Sequence, residues 1–254
     1  NDINGVAGTA HIAWGWAANG AGSSNSDGSL SSTVSANQTA GFSIVTATPG
    51  ISGSNDTIGH GLGIAPKMII GKNTNFSDNW HVYHSAISPA TEVRLNSTSA
   101  ATTTSWQSAS TSSVFQIKNG AWTNGGQVCL FYCFAEIPGY SSFGSYVANA
   151  NADGPFIYTG FKPAFVIFKC TTAVRTWIMY DNSRDPFNFV NDRLFPNTSD
   201  ANDPHASNDH VDFLSNGFKM RSAGTLLNAS GTYIFMAFAE NPFGGDGAAP
   251  GTAR

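Results

Sequence analysis

Between Asp200 and Asp212 the chain gathers four carboxylates and two imidazoles. Carboxylate oxygens would suit Ca²⁺ and imidazole nitrogens a transition metal, so Asp203, His205, Asp209 and His210 are the candidate metal ligands. Their spacing matches no known ligand loop, and Asp, Asn, Pro and Ser are also ordinary turn formers. Elsewhere, His81 and His84 stand three apart on an alternating run, so they face opposite sides of a strand and cannot share one ion. His60, in a Gly-His-Gly turn, reads as a loop hydrogen-bonding residue. Glycoside hydrolysis needs two carboxylates facing each other across a cleft. The acids on offer are Glu92, Glu136, Asp181, Asp185 and Glu240. Glu136 and Glu240 end equivalent apolar runs, so a shared structural job at a strand end is the simpler reading. The chain has no Gly-x-Ser-x-Gly elbow, no His-Glu-x-x-His and no phosphate-cradling glycine loop. No catalytic residue and no cofactor is therefore expected.

Sugar binding is the better-supported chemistry. It needs exposed aromatic faces with Asn, Asp and Gly beside them. Trp106, Trp122, Phe76 and Tyr140 lie in polar stretches such as TTTSWQSAS and NGAWTNGG, where a core role is not obvious. They are the candidate glycan contacts; covering a subunit interface or a strand edge is the competing reading.

The chain that must position these residues has 254 residues, of which 12 are Lys or Arg and 16 Asp or Glu, a charged fraction of 11%. A soluble domain usually carries about 25%. The net charge is −4, and no basic cluster offers itself to phosphates, which argues against nucleic acid as a partner. Mean hydropathy is −0.13, and no apolar run approaches the roughly 18 to 20 residues of a spanning helix, so membrane insertion is not expected. Aromatics reach 12%, ample material for a core. What remains is a globular chain whose surface is Asn, Ser, Thr and Gly.

Short apolar, β-branched or aromatic runs recur between turn residues, and helical periodicity is scarce. Strands are predicted at His11–Ala17, Gly41–Thr46, Lys67–Gly71, Trp80–His84, Val114–Lys118, Val128–Glu136, Phe156–Tyr158, Ala164–Lys169, Thr176–Tyr180, Val211–Leu214, Phe218–Arg221 and Thr232–Ala239. The pattern is all-β. It also repeats. GLGIAPKMIIGK (Gly61–Lys72) matches GFKPAFVIFK (Gly160–Lys169), and NWHVYHSA (Asn79–Ala86) matches TWIMYDNS (Thr176–Ser183). Pro66 pairs with Pro163, Trp80 with Trp177 and Tyr83 with Tyr180, each 97 residues apart. GGQVCLFYCFAEIPG matches SGTYIFMAFAENPF, pairing Glu136 with Glu240.

The expected organisation is two related β-sandwich or jelly-roll-like modules, 41–139 and 140–243, preceded by an extended arm or linker with one strand over 1–40 and followed by an extended tail over 244–254. Pro66 and Pro163 suit the first residue of a strand, where a missing N–H costs nothing. Trp80 and Trp177 are expected to anchor the two module cores. Cys129 and Cys133 would lie roughly 13 Å apart on one strand face, too far to bridge, so buried free thiols and a reducing folding compartment are expected.

Several ordered motifs carry a family resemblance: GAGSSNSDGSLSSTVSANQTAGFSIVT, TIGHGLGIAPKMIIGK, YCFAEIPGYSSFGSY, DGPFIYTGFKPAFVIFK, and FLSNGFKMR with FAENPF. Over nearly its whole length the chain resembles a domain of tailed-bacteriophage structural proteins, seen especially in phages of marine bacteria and cyanobacteria and described as tail-fibre or appendage proteins. The resemblance implies a structural virion protein of tail-fibre or appendage type, made in the bacterial host cytoplasm and contributing to host attachment. Its partners would be copies of itself, a trimer being common for fibres, other virion proteins, and host surface glycan. A capsid decoration or head-fibre protein and a host-polysaccharide depolymerase are the alternatives. The resemblance brings no catalytic or receptor-binding residues with it.

Overall fold

In the computed structural model of the chain every regular element is a β-strand among the described residues, which are 12–50, 55–103, 106–118, 120, 122–123, 125–203, 209–224 and 226–242. In chain order the first half holds β1 (Ser23–Asn25), β2 (Ser32–Asn37), β3 (Phe42–Ala47), β4 (Asn55–Gly59), β5 (Pro66–Asn73), β6 (His81–His84), β7 (Thr91–Arg94), β8 (Thr102–Thr103), β9 (Val114–Lys118) and β10 (Cys129–Ala135). The second half holds β11 (Ser141–Ala148), β12 (Phe156–Tyr158), β13 (Pro163–Cys170), β14 (Ile178–Asp181), β15 (Val211–Leu214), β16 (Gly217–Met220) and β17 (Gly231–Ala239). The fold is all-β.

The strands form four antiparallel sheets, with orders β1-β2-β3-β10-β5-β6-β7-β8, β11-β17-β13-β14, β12-β16-β15 and β4-β9. Side-chain alternation on the two longest apolar runs dictates how they stack. On β17, Tyr233, Phe235, Ala237 and Ala239 enter one apolar cluster, and Ile234, Met236 and Phe238 enter another. On β10, Cys129, Phe131, Cys133 and Ala135 point one way, and Tyr132 and Phe134 the other. Both strands are thus buried on both faces, which is why CLFYCFA and YIFMAFA are continuously apolar instead of alternating. Four layers result. The β4-β9 pair covers the first large sheet, the two large sheets share an apolar layer, and the β12-β16-β15 sheet covers the second.

The order β3-β10-β5-β6 in the first half recurs as β11-β17-β13-β14 in the second. β5 and β13 both open at a proline standing opposite an alanine where the ladder shifts register: Pro66 against Ala135, and Pro163 against Ala239. A residue without an N–H fits such a break. Tyr83 and Tyr180 both turn into the outer cores. Trp80 and Trp177 do not anchor those cores, contrary to expectation. Three residues along a strand reverses the side, so the tryptophans face the shared layer instead. Trp177 is buried there and donates from Nε1 to the Arg94 carbonyl, 2.8 Å away in the other half. Trp80 lies half-buried at its edge.

The N-terminal stretch differs from the expected arm with one strand. Over the described residues 12–17 no strand forms; Trp14 and Trp16 lie against Phe165, Phe134 and Phe238 at the mouth of the shared layer. Strands form later, in the polar segment, as β1 and β2. β2 pairs along its whole length with β3, and its small side chains are buried with partners: Ser32 Oγ donates to the Gly59 carbonyl at 3.0 Å and Ser35 Oγ to Gly20 at 2.8 Å. Such a strand needs few core formers, which hid it. Residues 244–254 lie outside the described residues.

Two buried histidines fasten loops by the same device. His60 Nδ1 accepts the Leu62 N–H and its Nε2 faces the Thr111 carbonyl; His84 Nδ1 accepts the Ala86 N–H and its Nε2 faces the Phe235 carbonyl at 3.1 Å. Each set of bonds fits a neutral ring with the proton on Nε2. Burial lowers both pKa values, that of His84 to about 4. The unfolded chain therefore holds more protons between pH 6.5 and pH 4, so stability is full above this window and falls as pH drops through it. For His84 the loss is about 3 kcal/mol. Denaturant unfolding at a series of pH values should show this decline, and His84→Gln should flatten it by about one proton. An identical slope in the variant would refute the assignment.

Candidate functional site

The acidic loop picked out by sequence is built around one guanidinium. Arg193 Nη1 lies 2.7 Å from Asp209 Oδ2, and Arg193 Nη2 lies 2.7 Å from Asp203 Oδ2. The other oxygen of Asp209, a buried side chain, accepts the N–H groups of Leu226 and Leu227, each at 3.2 Å. Tyr180 Oη donates to the Asp209 carbonyl at 2.7 Å. The His210 ring stacks on Phe189 with centroids 4.4 Å apart and planes at 10°. His205 lies outside the described residues. Asp203, Asp209 and His210 therefore do not converge as ligands. Among the described residues no three His, Cys, Asp or Glu side chains form a metal-binding group. The carboxylates are spent on a cation already in place.

What this scaffold carries is a set of exposed rings. In β12, Ile157 enters the core, so Phe156 and Tyr158 point outward, 45% and 69% exposed. Across the sheet Phe156 stands opposite Lys219, which stands opposite Asp212; Tyr158 stands opposite Gly217, which stands opposite Leu214. Beyond β15, Val190 bridges Val211, and the loop before it exposes Phe187 at 81% and Phe189 at 50%. That loop is braced. The Asn188 side chain takes the Phe213 N–H at 2.9 Å and donates to the Phe213 carbonyl at 3.0 Å. Asp185 Oδ2 accepts the N–H groups of Asn191 and Asp192 at 2.6 and 2.7 Å.

Glycine provides the room beneath the rings. A Cβ on Gly217 would collide with the Ile157 carbonyl and lie 3.1 Å from Phe156 Cε2. A Cβ on Gly160 would lie 3.6 Å from Tyr158 Oη. Each ring of β12 thus rests against a glycine backbone. Two ion pairs lie on the face, with Lys219 on its middle strand and Asp212 on β15: Lys219–Asp153 at 2.6 Å and Arg221–Asp212 at 3.0 Å. The chemistry on offer is stacking on flat ring faces beside paired charges and hydrogen-bonding groups.

The four aromatic residues expected to meet sugar are not brought together. Trp106 and Trp122 are buried in the core of the first half, their centroids 6.0 Å apart. The cause is a glycine. A Cβ on Gly71 would meet the Trp122 ring at 2.6 Å, so this ring occupies space left open in β5; Phe168, 97 residues later, sits in the other core. Trp122 also stacks on His81 at 4.6 Å, covering a buried pair in which His81 Nδ1 lies 2.8 Å from Glu92. Phe76 is half-buried in the turn after β5, where its carbonyl accepts Lys72 Nζ at 3.1 Å. Tyr140 packs 5.4 Å from Phe238 and lines a cavity of about 290 Å³ with Trp14, Trp16 and Phe165.

The acids considered for hydrolysis are likewise engaged. Glu136 accepts the Phe143 N–H at 2.9 Å, and Glu240 pairs with Lys162 at 3.0 Å and takes the Asn182 amide at 2.8 Å. Both sit one residue past the end of a long central strand; Glu136 ties β10 to β11 of the other large sheet, and Glu240 ties β17 to the ends of β13 and β14. Asp181 holds Arg184 at 2.8 Å.

The family model for a domain of unknown function, DUF7483, matches residues 1–242. The chain belongs to that family. Comparison with curated proteins and with solved structures finds no match.

In this DUF7483 domain, sequence reasoning placed the sugar candidates on large aromatics in polar loops and passed over smaller ones in a strand. The missed signal was parity. In Phe-Ile-Tyr one aliphatic residue is flanked by two rings, and burying the first turns both rings outward.

Asp209 depends on Arg193 because a buried carboxylate without its cation is costly. Arg193→Ala should lower unfolding free energy by about 3–5 kcal/mol, and Asp203→Ala, which removes a carboxylate that is itself 42% exposed, by less than about 1 kcal/mol. EDTA or added Ca²⁺ should leave the melting temperature unchanged; a metal-dependent shift would restore the metal reading.

Proposed function

We propose that this protein is a structural component of a tailed-bacteriophage particle, of tail-fibre or appendage type, and that the outer face of the β12-β16-β15 sheet meets the host surface. The family resemblance described above supports the particle. The observation that carries the attachment role is a set of four exposed rings, Phe156 and Tyr158 on the outer side of β12 and Phe187 and Phe189 on the braced loop beside β15. Large apolar rings left exposed on one small sheet and its flanking loop mark an interaction site. The rest of the described surface has little charge to offer, in keeping with the 11% charged fraction.

Two related β modules sharing an apolar layer suit a rigid spacer on such a particle. Low charge also suits packing against copies of the same chain, because burying charge at an interface is expensive. A homo-oligomer, of which a trimer is the usual form in fibres, follows from this reading, with other virion proteins as further partners.

Gold-labelled antibody against the chain should decorate tail appendages of intact particles. Decoration of the head would move the role to a capsid fibre or decoration protein, and bare particles would end the virion reading. Analytical ultracentrifugation at micromolar concentration should give a stable oligomer. A clean monomer would count against the fibre role.

A further inference from the structure

The geometry points to the outer face of β12, β16 and β15, with Phe187 and Phe189 at its rim, as a binding platform for a neutral polysaccharide. This deepens the attachment reading and rests on it for where the sugar comes from.

Shape and charge together select the ligand. A pyranose presents a face of C–H bonds and a rim of hydroxyls. Polarised C–H groups are attracted to the negative face of an aromatic ring, and each hydroxyl both donates and accepts. Phe156 and Tyr158, two residues apart on one side of a strand, stand roughly 7 Å from each other, each seated against a glycine backbone. Gly217 carries no side chain between Tyr158 and Leu214, and the Phe156 ring leans over it, its Cε2 3.1 Å from where a Cβ would stand. Asp153, its side chain 82% exposed, stands at the edge as a hydroxyl acceptor.

An acidic polymer fits this face poorly. The cations flanking the rings, Lys219 and Arg221, are already committed to Asp153 and Asp212 at 2.6 and 3.0 Å. A protein surface fits poorly too, because closing over the sheet would desolvate both ion pairs, a cost that pairing inside an interface seldom returns. A sugar chain can lie on the rings and leave those pairs wet. The bracing matters for affinity. Asn188 and Asp185 fix the loop in advance, so little ordering entropy is lost when a ligand arrives.

The test uses the whole chain in native affinity gels containing dextran, amylose, mannan, galactan or mixed-linkage β-glucan, with alginate as the acidic comparison. The wild type should be retarded by at least one neutral polymer and not by alginate. Tyr158→Ala with Phe187→Ala should weaken that retardation about tenfold or more, and Tyr158→Trp should preserve it. Both positions are highly exposed, so the melting temperature should not move, which separates lost binding from lost folding. Three results would overturn the proposal: no retardation by any neutral polymer, retardation by alginate alone, or unchanged binding in the double variant. Light scattering of the same proteins covers self-association, since a fall in mass in the double variant would make the face an interface between copies. Binding that fails while the chain still labels particle appendages would sink the sugar and spare the particle role; sugar binding by a chain that labels no particle would do the reverse.

Discussion

The apolar layer between the two large sheets governs the rest of the architecture. Phe42, Met68, Ile70, Val82 and Phe134 enter it from one side, and Phe143, Phe165, Ile167, Ile234, Met236 and Phe238 from the other. Without it, each large sheet would present a face of Phe, Met and Ile to water, a penalty of about 1.5–3 kcal/mol for each large side chain. Neither half can therefore be treated as independent. The polar seams confirm the interlock. Ala101 N–H donates to Thr171, Arg175 N–H to Thr98 and Trp177 Nε1 to Arg94, all crossing between halves at 2.8–2.9 Å. Lys169 goes further: a buried ammonium, held down at about 8 by desolvation, it donates to the carbonyls of Thr98 and Arg175.

That layer also explains what could be read from the sequence and what could not. The long runs of β10, β13 and β17 that build it are dense in aromatic and β-branched residues and were nearly legible, while Val114–Lys118, Phe156–Tyr158 and Val211–Leu214, in the covering sheets, were legible to the residue. β2 and β11 were not, although they pair over six and eight residues. STVSAN carries its order in a backbone ladder and small buried hydroxyls, and in SSFGSYVA the buried Phe143 and Tyr146 stand three apart among Ser and Gly on opposite sides, so neither reads as an alternating apolar run. Repeat matching paired the tryptophans and the tyrosines but could not tell which of two apolar sides each would face. A strand buried on both sides offers no polar residue to mark the outside.

The candidate site was hidden for a related reason. Residue type alone suggested that a tryptophan in a polar loop is exposed and that a cluster of Asp and His invites a metal. Both suggestions failed on neighbours distant in sequence: Gly71 opens space for Trp122, and Arg193 consumes Asp203 and Asp209. A vacancy in a strand and a guanidinium ten and sixteen residues away decide these roles, and neither is local. The acidic loop still matters, because it seats His210 beneath Phe189.

Low charge takes on a structural meaning once these pairings are counted. Five described acids in and around the second half's outer sheet have a cationic partner: Asp181 with Arg184, Asp203 and Asp209 with Arg193, Asp212 with Arg221, Asp153 with Lys219. Charges used this way position backbone and cannot also steer a distant ligand, because each pair is a short-range dipole that salt screens within about 10 Å. A surface so arranged loses long-range attraction and keeps contact chemistry. Contact chemistry is carried here by rings, and rings held at a fixed spacing on a pleated sheet favour a ligand with its own repeat. A polymer of identical units meets that condition at every register, so it can gain by sliding and rebinding what it lacks in electrostatic capture.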